Sequence, residues 1–232
     1  MTDRDINPGA LQVPPPDTEA ALLTRAMALV GQPLGVLAAQ AGLPQPGAPR
    51  HAKGYAGRLL ECLLGADAGS RPVPDFTRLG VELKSIPLTS AGMPAESTFL
   101  CVAPLKGASG LRWDESPVWH KLRRVLWVPV EADPTLPLAA RRIGWPVLWT
   151  PDADDTRVLR ADWEELMELL TTGNYAQLDA RVGQYLQIRP KAANARALAP
   201  SFDATGEPAS TLPRGFYLRA RFTRRILARQ PS

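Results

Sequence analysis

The chain has 232 residues, enough to bury a core of useful size without disulfides or metals. Apolar residues make up 45% and charged residues 22%, an ordinary globular composition that excludes global disorder. The net charge is +4, but residues 181–232 hold ten basic and two acidic side chains (+8), which leaves −4 for residues 1–180. This asymmetry indicates either a polyanionic partner or a solvated basic tail.

Cysteine usage and the lack of targeting signals suggest where the protein works. Cys62 and Cys101 lie in apolar runs, which favours core packing in a reducing compartment over a disulfide. The N-terminal residues contain no apolar segment typical of a secretory signal. No run of about 18 apolar residues occurs, so we expect no membrane contact. The sequence therefore predicts a cytoplasmic protein.

The first third of the chain has helical periodicity. We expect residues 1–16, which end in three prolines, to form a flexible lead-in. Asp17 or Thr18 can cap a helix whose apolar positions recur with the helical period. Two further helices are predicted over residues 34–41 and 53–64.

The pattern then changes from helical to extended. Segments rich in Val, Leu, Phe and Trp predict strands over residues 76–86, 98–105, 125–131 and 141–150. A long amphipathic helix is predicted over 155–170. The remainder predicts extended segments at 185–188 and 215–222, a small helix at 192–199, a loop after it and a basic helix at the end. Helices, strands and helices in this order indicate a mixed α/β fold with a sheet between helical layers.

Several common chemistries are absent from the sequence. The two histidines, His51 and His120, lie far apart and have no nucleophile pattern beside them. No GxSxG, GxxxxGK[ST] or GxGxxG motif occurs. Two scattered cysteines and two scattered histidines make a zinc site a poor expectation. Serine hydrolases, P-loop NTPases and dinucleotide enzymes are therefore disfavoured.

One short motif carries a specific chemistry. Asp75 precedes the sequence Glu82-Leu83-Lys84, and on a strand the side chains of Glu82 and Lys84 share a face. Two carboxylates, a backbone carbonyl and water make a good Mg²⁺ site. A lysine beside them can stabilise charge on a phosphate in the transition state. The motif therefore has the groups that metal-assisted phosphodiester hydrolysis needs.

The motif alone has a plainer interpretation as an exposed strand with a surface Glu–Lys pair, and chance gives such a match in roughly one of ten sequences of this kind. Glu61 flanks the apolar side of its helix, where a carboxylate usually has a partner, either a site or a surface arginine. Lys53 and Gly54 open the same helix and suit the approach of a phosphate, or form a loose first turn. Lys121 could reach the same sheet edge or be a surface lysine.

Eight sequence blocks, taken together, resemble the MutH family, the strand-discriminating endonucleases of methyl-directed DNA mismatch repair. They include Gly80-Val81-Glu82-Leu83-Lys84 and Arg189-Pro190-Lys191-Ala192-Ala193-Asn194. The resemblance runs from about residue 17 to residue 229. The blocks are residues 53–61, 64–70, 75–84, 99–105, 120–127, 162–167, 185–194 and 212–218.

This resemblance implies a fold and an activity. The fold is the restriction-endonuclease-like α/β fold, a mixed sheet flanked by helices with two lobes around a DNA cleft. Residues 17–232 would form a single endonuclease domain, with a basic DNA-reading region over about 181–229. The implied activity is Mg²⁺-dependent nicking of the unmethylated strand 5′ of the G in hemimethylated GATC sites of double-stranded DNA. MutL would activate the enzyme, which we expect to act as a monomer.

The resemblance also assigns roles to individual residues. Asp75 and Glu82 become metal ligands together with the Leu83 carbonyl. Lys84 becomes the catalytic lysine, with Glu61 as a further active-site carboxylate and Lys121 as a supporting lysine. The implied DNA contacts are Lys53, Gly54, Arg189, Pro190, Lys191 and Tyr217.

Three other functions stay open at this point. A DNA-binding regulator would keep the fold without cleavage, although it would have no reason to hold two carboxylates near a phosphate. A type II restriction enzyme for GATC would cut both strands without help from MutL. A structural or interaction protein would not lose DNA affinity when the charges of Arg189 and Lys191 are reversed.

Overall fold

The computed structural model describes residues 13–46, 54–179, 181–191 and 197–229. The described residues fall into two compact units. The first unit comprises the residues up to Ala95 together with Arg124–Trp149, and the second comprises Glu96–Arg123 and Thr150–Arg229. The prediction of a single two-lobed domain over residues 17–232 stays a prediction.

The described chain contains both helices and strands, which confirms a mixed α/β composition. The helices are α1 (Glu19–Ala28), α2 (Leu34–Ala41), α3 (Tyr55–Leu64), α4 (Pro117–Leu122), α5 (Ala153–Thr171) and α6 (Ala220–Leu227). The strands are β1 (Glu82–Leu88), β2 (Thr98–Val102), β3 (Val125–Glu131), β4 (Val147–Trp149), β5 (Leu186–Pro190), β6 (Ala199–Phe202), β7 (Pro208–Thr211) and β8 (Arg214–Leu218). None of the described helices is both long and apolar enough to cross a membrane.

The helices of the first unit begin where local chemistry sets their first turn. The Oγ1 atom of Thr18 accepts the Ala21 N–H at 3.1 Å, so Thr18 is the cap of α1 and Asp17 is not. The predicted helix over residues 34–41 is confirmed as α2. The helix predicted from residue 53 begins at Tyr55 instead, because Gly54 has a φ of +78° that no α-helix contains.

The first unit contains a three-stranded sheet in the order β1-β3-β4. Strand β3 pairs with β1 in parallel and with β4 in antiparallel orientation. The core includes buried leucines of all three helices, among them Leu22, Leu37 and Leu60, together with Leu126 and Val128 of the central strand. Strand β1, which carries the Glu-Leu-Lys motif, is thus an edge strand of its sheet.

The strand predicted over residues 76–86 starts later than expected. Phe76 and Val81 pair with each other across a tight turn, in which the Phe76 N–H donates to the Val81 carbonyl at 2.9 Å. Gly80 has a φ of +66° and makes this turn possible. The strand therefore begins at Glu82, and Asp75 lies just before the turn.

The second unit has a separate antiparallel sheet in the order β2-β8-β5 and a hairpin formed by β6 and β7. Helix α5 confirms the long amphipathic helix and starts earlier than predicted, because the Asp152 carboxylate caps it by accepting the Asp155 N–H at 2.7 Å. Its buried positions include Leu159, Trp163 and Leu166. Phe216 and Leu218 of the central strand are also buried.

Several predicted boundaries in the later part of the chain are wrong. The expected single central sheet is instead several small sheets, because β1 pairs with β3 while β2 pairs with β8. The predicted helix over 192–199 ends in a strand residue, Ala199, and residues 192–196 lie outside the described part. The extended segment over 215–222 ends at Leu218, since α6 begins at Ala220. Two other predicted strands are shorter: 98–105 ends at residue 102, and 141–150 is reduced to 147–149.

Candidate active site

Glu82 and Lys84 form an ion pair on one face of β1, as the strand pattern predicts. The Nζ atom of Lys84 donates to Oε1 of Glu82 at 2.7 Å. The Glu82 side chain is only 2% exposed and that of Lys84 is 17% exposed. A carboxylate so deeply buried is costly unless it has a partner, and the lysine supplies one.

Asp75 reaches the same strand from the turn that precedes it. Its Oδ2 atom accepts the Leu83 N–H at 2.7 Å. The Glu82 N–H points the opposite way and donates to the Arg124 carbonyl at 3.0 Å. In a parallel ladder the N–H and C=O of one residue lie on the same side of the strand, so the Leu83 carbonyl points to the side that Asp75 occupies.

Glu61 approaches the motif from helix α3. The helix passes close to β1, since a Cβ atom built on Gly57 would lie 3.6 Å from the Ser85 Oγ atom. Glu61 is exposed to water, yet enough protein surrounds it to remove part of its hydration. This partial burial is the main reason why the pKa of Glu61 is raised, with the charges of Asp75 and Glu82 as further causes.

The charges around Glu61 show that the predicted carboxylates form one electrostatic group. Lys84 and Arg58 lower the pKa of Glu61 but do not outweigh the raising causes. Three carboxylates that repel one another, next to a backbone carbonyl, form a set of hard oxygen donors that suits Mg²⁺. No three His, Cys, Asp or Glu side chains in the described ranges are close enough together to form a ready metal cluster. Besides such oxygen donors, Mg²⁺ usually keeps several water ligands.

Three other predicted site residues are Lys53, Gly54 and Lys121. Gly54 is exposed and precedes the first turn of α3, and Lys53 lies outside the described residues. Lys121 is half-buried on the last turn of α4, in the second unit. The roles that the resemblance implies for these three residues stay predictions.

Three of the predicted DNA-contact residues of the second unit, Arg189, Lys191 and Tyr217, lie on one sheet face together with Phe99. Lys191 places its Nζ atom 3.3 Å from the centre of the Phe99 ring. The Arg189 guanidinium lies 5.8 Å from the centre of the Tyr217 ring. The two rings meet edge to face with centres 5.3 Å apart. We call Phe99, Arg189, Lys191 and Tyr217 the cation–aromatic surface; Pro190, between its two cations, is exposed.

Phe99 was not predicted as a site residue, and a glycine makes room for it. A Cβ atom on Gly215 would lie 2.8 Å from the Phe99 ring, which is too close for any other residue without a shift. Phe99 pairs with Tyr217 across β2 and β8. The sequence signal was the glycine in Arg214-Gly215-Phe216, but only the strand pairing shows which ring it faces.

Much of the basic excess after residue 181 is used inside the second unit. Arg219 donates to the Val182 carbonyl at 2.6 Å, and Arg221 donates to the Gln184 carbonyl at the same distance. Arg225 and Arg229 both bond the carboxylate of Asp155, which is fully buried. The charge count therefore overstates the cationic surface, of which Arg189 and Lys191 are exposed members.

Comparisons with known proteins identify the class and then the family. Residues 64–162 match the family model described as DNA mismatch repair enzyme MutH. Two proteins from Klebsiella pneumoniae and one from Salmonella newport, each named DNA mismatch repair protein MutH, are 56% identical to this chain over 215 residues. These matches cover 93% of this chain and 93% of each relative. The protein is a DNA-cleaving enzyme of mismatch repair. The chain belongs to the MutH family.

Proposed function

We propose that this endonuclease requires Mg²⁺ and nicks the unmethylated strand 5′ of the G in hemimethylated GATC sites, and that MutL stimulates it. The observation that carries the proposal is the group formed by Glu61, Asp75, Glu82 and Lys84 around the edge strand β1. Membership of the MutH family supports DNA cleavage in mismatch repair. Strand choice, methylation sensing and MutL come from the resemblance.

In this proposal the carboxylates of Asp75 and Glu82 and the carbonyl of Leu83 hold the metal. When bound there, Mg²⁺ would supply Lewis-acid chemistry, lowering the pKa of a water ligand and polarising the phosphate. The Lys84 ammonium, held 2.7 Å from Glu82, supplies positive charge where the phosphate gains negative charge. Glu61 has a raised pKa, which suits its carboxylate to accept a proton from the attacking water.

The DNA contacts of the proposal divide between the two units. Arg189 and Tyr217 are proposed to sense the GATC bases and the adenine methyl group, since arginine pairs well with guanine edges. Lys191 lies on the same cation–aromatic surface, and Pro190 is proposed as a DNA contact beside it. Lys53 and Gly54 would contact the DNA backbone at the start of α3. Lys121 is proposed as a supporting lysine of the reaction. The two-lobed DNA cleft stays a prediction.

The test is nicking of a closed circular plasmid that carries one hemimethylated GATC site. The reaction contains Mg²⁺ and is run with and without MutL and ATP, with a fully methylated plasmid as the control. We expect one nick, confined to the unmethylated strand, made faster by MutL and absent from the control. Cleavage of both strands would indicate a restriction enzyme instead, and specific binding without a nick would indicate a regulator.

A further inference from the structure

The turn that follows Asp75 is held by hydrogen bonds to one loop residue, Asp67. The Asp67 N–H donates to the Asp75 carbonyl at 3.0 Å, and the Ala68 N–H donates to the same oxygen at 3.2 Å. Two residues further along the chain, the Asp67 carboxylate accepts the Thr77 N–H at 2.8 Å and the Thr77 hydroxyl at 2.5 Å. Asp67 therefore fixes the backbone that directly follows the Asp75 side chain, through its own N–H at Asp75 and through its carboxylate at Thr77.

Asp67 also ties this turn to the helix that carries Glu61. It lies in the loop that leaves α3, and the Gly65 and Ala66 N–H groups both donate to the Glu61 carbonyl, at 3.1 and 2.9 Å. The path from the Glu61 backbone to the Asp75 backbone is thus short and bonded throughout. The Asp67 backbone thus links the two segments, while the Asp67 carboxylate holds Thr77, two residues after Asp75.

The bonds to Asp67 are those of an ionised carboxylate. Its hydrogen bond with the Thr77 hydroxyl is the main reason why the pKa of Asp67 is lowered, and the Arg71 charge acts in the same direction. Arg71 also donates to the Asp67 carbonyl at 2.6 Å and to the Ala68 carbonyl at 2.9 Å, which stiffens the loop. Charged acceptors make stronger hydrogen bonds than neutral ones.

We propose that Asp67 is a positioning residue, which holds Asp75 in the orientation in which it bonds Leu83 and can bind a divalent metal. The proposal rests on the function proposed above, in which Asp75 is a metal ligand. Groups that orient a ligand from outside the coordination shell typically change metal affinity or activity by about 10–100-fold when removed. Asp67 touches neither metal nor DNA in this account and acts only through Asp75.

Three variants test the proposal. Asp67→Ala removes both bonds to Thr77, whereas Asp67→Asn keeps an oxygen that can accept one of them. Asp133→Ala is the matched control, because the Asp133 carboxylate accepts the N–H and the hydroxyl of Thr135 at 2.8 and 2.6 Å at the other end of the sheet. Each protein is measured for the Mg²⁺ concentration that gives half-maximal nicking, for DNA affinity without metal, and for amide hydrogen exchange at Leu83.

For Asp67→Ala we expect the half-maximal Mg²⁺ concentration to rise about tenfold. The Leu83 amide, which donates to Asp75, should exchange about fivefold faster. Asp67→Asn should lie between Asp67→Ala and the wild type. DNA affinity should not change, and Asp133→Ala should match the wild type in all three measurements.

The proposal is overturned if Leu83 exchange in Asp67→Ala is unchanged, or if the Mg²⁺ requirement is unchanged. It is also overturned if Asp133→Ala produces equal effects, since the loss would then be one of general stability. If the wild type does not nick at any Mg²⁺ concentration, the proposed function fails. Leu83 exchange then still decides whether Asp67 holds Asp75, because that measurement needs neither metal nor DNA.

Discussion

The clustered carboxylates of the first unit (Glu61, Asp75 and Glu82) and the cation–aromatic surface of the second unit are built in contrasting ways. Glu82 is almost fully buried, and the Asp75 carboxylate accepts a hydrogen bond from the Leu83 N–H of β1. Lys191 and Arg189 are exposed and lie over aromatic rings. Bonded carboxylates have fixed positions, as a metal site needs, while exposed cations on rings can adapt to a nucleic-acid surface. The contrast predicts that variants of the clustered carboxylates affect the chemical step and that variants of the cation–aromatic surface affect DNA binding.

The largest expected effect is that of Glu82→Gln on nicking. The amide no longer offers a charged metal ligand and leaves Lys84 without its ion pair, so the rate should fall by about 10³-fold. DNA affinity should be kept, because the change removes negative charge. Nicking is measured on the hemimethylated plasmid at saturating Mg²⁺.

Glu131→Gln is the matched control, since Glu131 is an exposed glutamate at the end of the neighbouring strand β3. It should nick at the wild-type rate. A Glu82→Gln protein that nicks as fast as this control would remove Glu82 from the reaction and end the contrast between the units.

The next largest effect is expected for Arg225→Ala, and on stability rather than on DNA binding. Its guanidinium bonds the buried carboxylate of Asp155, which keeps Arg229 as its second partner, so the loss of one charged hydrogen bond should cost about 2 kcal/mol. The free energy of unfolding, measured with urea, should fall by that order. The salt dependence of DNA affinity should be unchanged.

Arg157→Ala provides the comparison, because Arg157 is exposed and pairs with Asp154 on the surface at 3.4 Å. Such a pair contributes less than about 1 kcal/mol. If Arg225→Ala instead flattened the salt dependence and left stability intact, the arginines of α6 would belong to the DNA-binding surface.

Lys191→Ala should weaken DNA binding by about tenfold and reduce the slope of log affinity against log salt by about one. The reason is loss of a phosphate contact made by an exposed ammonium. Binding is measured at several salt concentrations on duplexes with and without GATC. An unchanged slope with a relaxed sequence preference would show that Lys191 contacts a base.

The smallest effect is a pH dependence of stability that comes from Glu61. The pKa of Glu61 is raised above its usual value of 4.5 in the folded protein, so ionisation costs stability as the pH rises through the folded pKa. Glu61→Gln never ionises at that position. In metal-free buffer its stability relative to the wild type should therefore increase between about pH 4 and pH 7.

The free energy of unfolding is measured with urea at each pH. Glu165→Gln, which changes an exposed glutamate of α5, is the control for the pH dependence of an ordinary surface glutamate. Mg²⁺ should shrink the difference between Glu61→Gln and the wild type, since the ion offsets the repulsion among the carboxylates. If the stability of Glu61→Gln relative to the wild type instead falls with rising pH, the folded protein stabilises Glu61 as a carboxylate.

The parts of the site that were predictable from sequence depend on short-range geometry. Glu82 and Lys84 share a face because residues two apart on a strand always do, and Thr18 caps α1 by a local rule. The start of β1 at Glu82 was missed, since the turn at Gly80 depends on how Phe76 meets Val81. The periodicity of apolar residues along the sequence does not reveal such a turn.

The parts that were not predictable depend on contacts between distant segments. The Asp67–Thr77 bonds cross a loop without a repeating pattern, and Phe99 meets Tyr217 only through the pairing of β2 with β8. A charge count also cannot distinguish Arg225, which bonds Asp155, from Arg189, which is exposed. Side chains with equal charge have different roles because their neighbours differ.

The most direct test of the central claim is to locate a divalent metal in crystals of the protein grown with Mn²⁺. Mn²⁺ favours the same oxygen ligands as Mg²⁺ and can be identified by its anomalous scattering. We expect a peak within about 2.2 Å of oxygen atoms of Asp75, Glu82 and the Leu83 carbonyl. A fully loaded crystal whose only peak lies away from these three residues would contradict it.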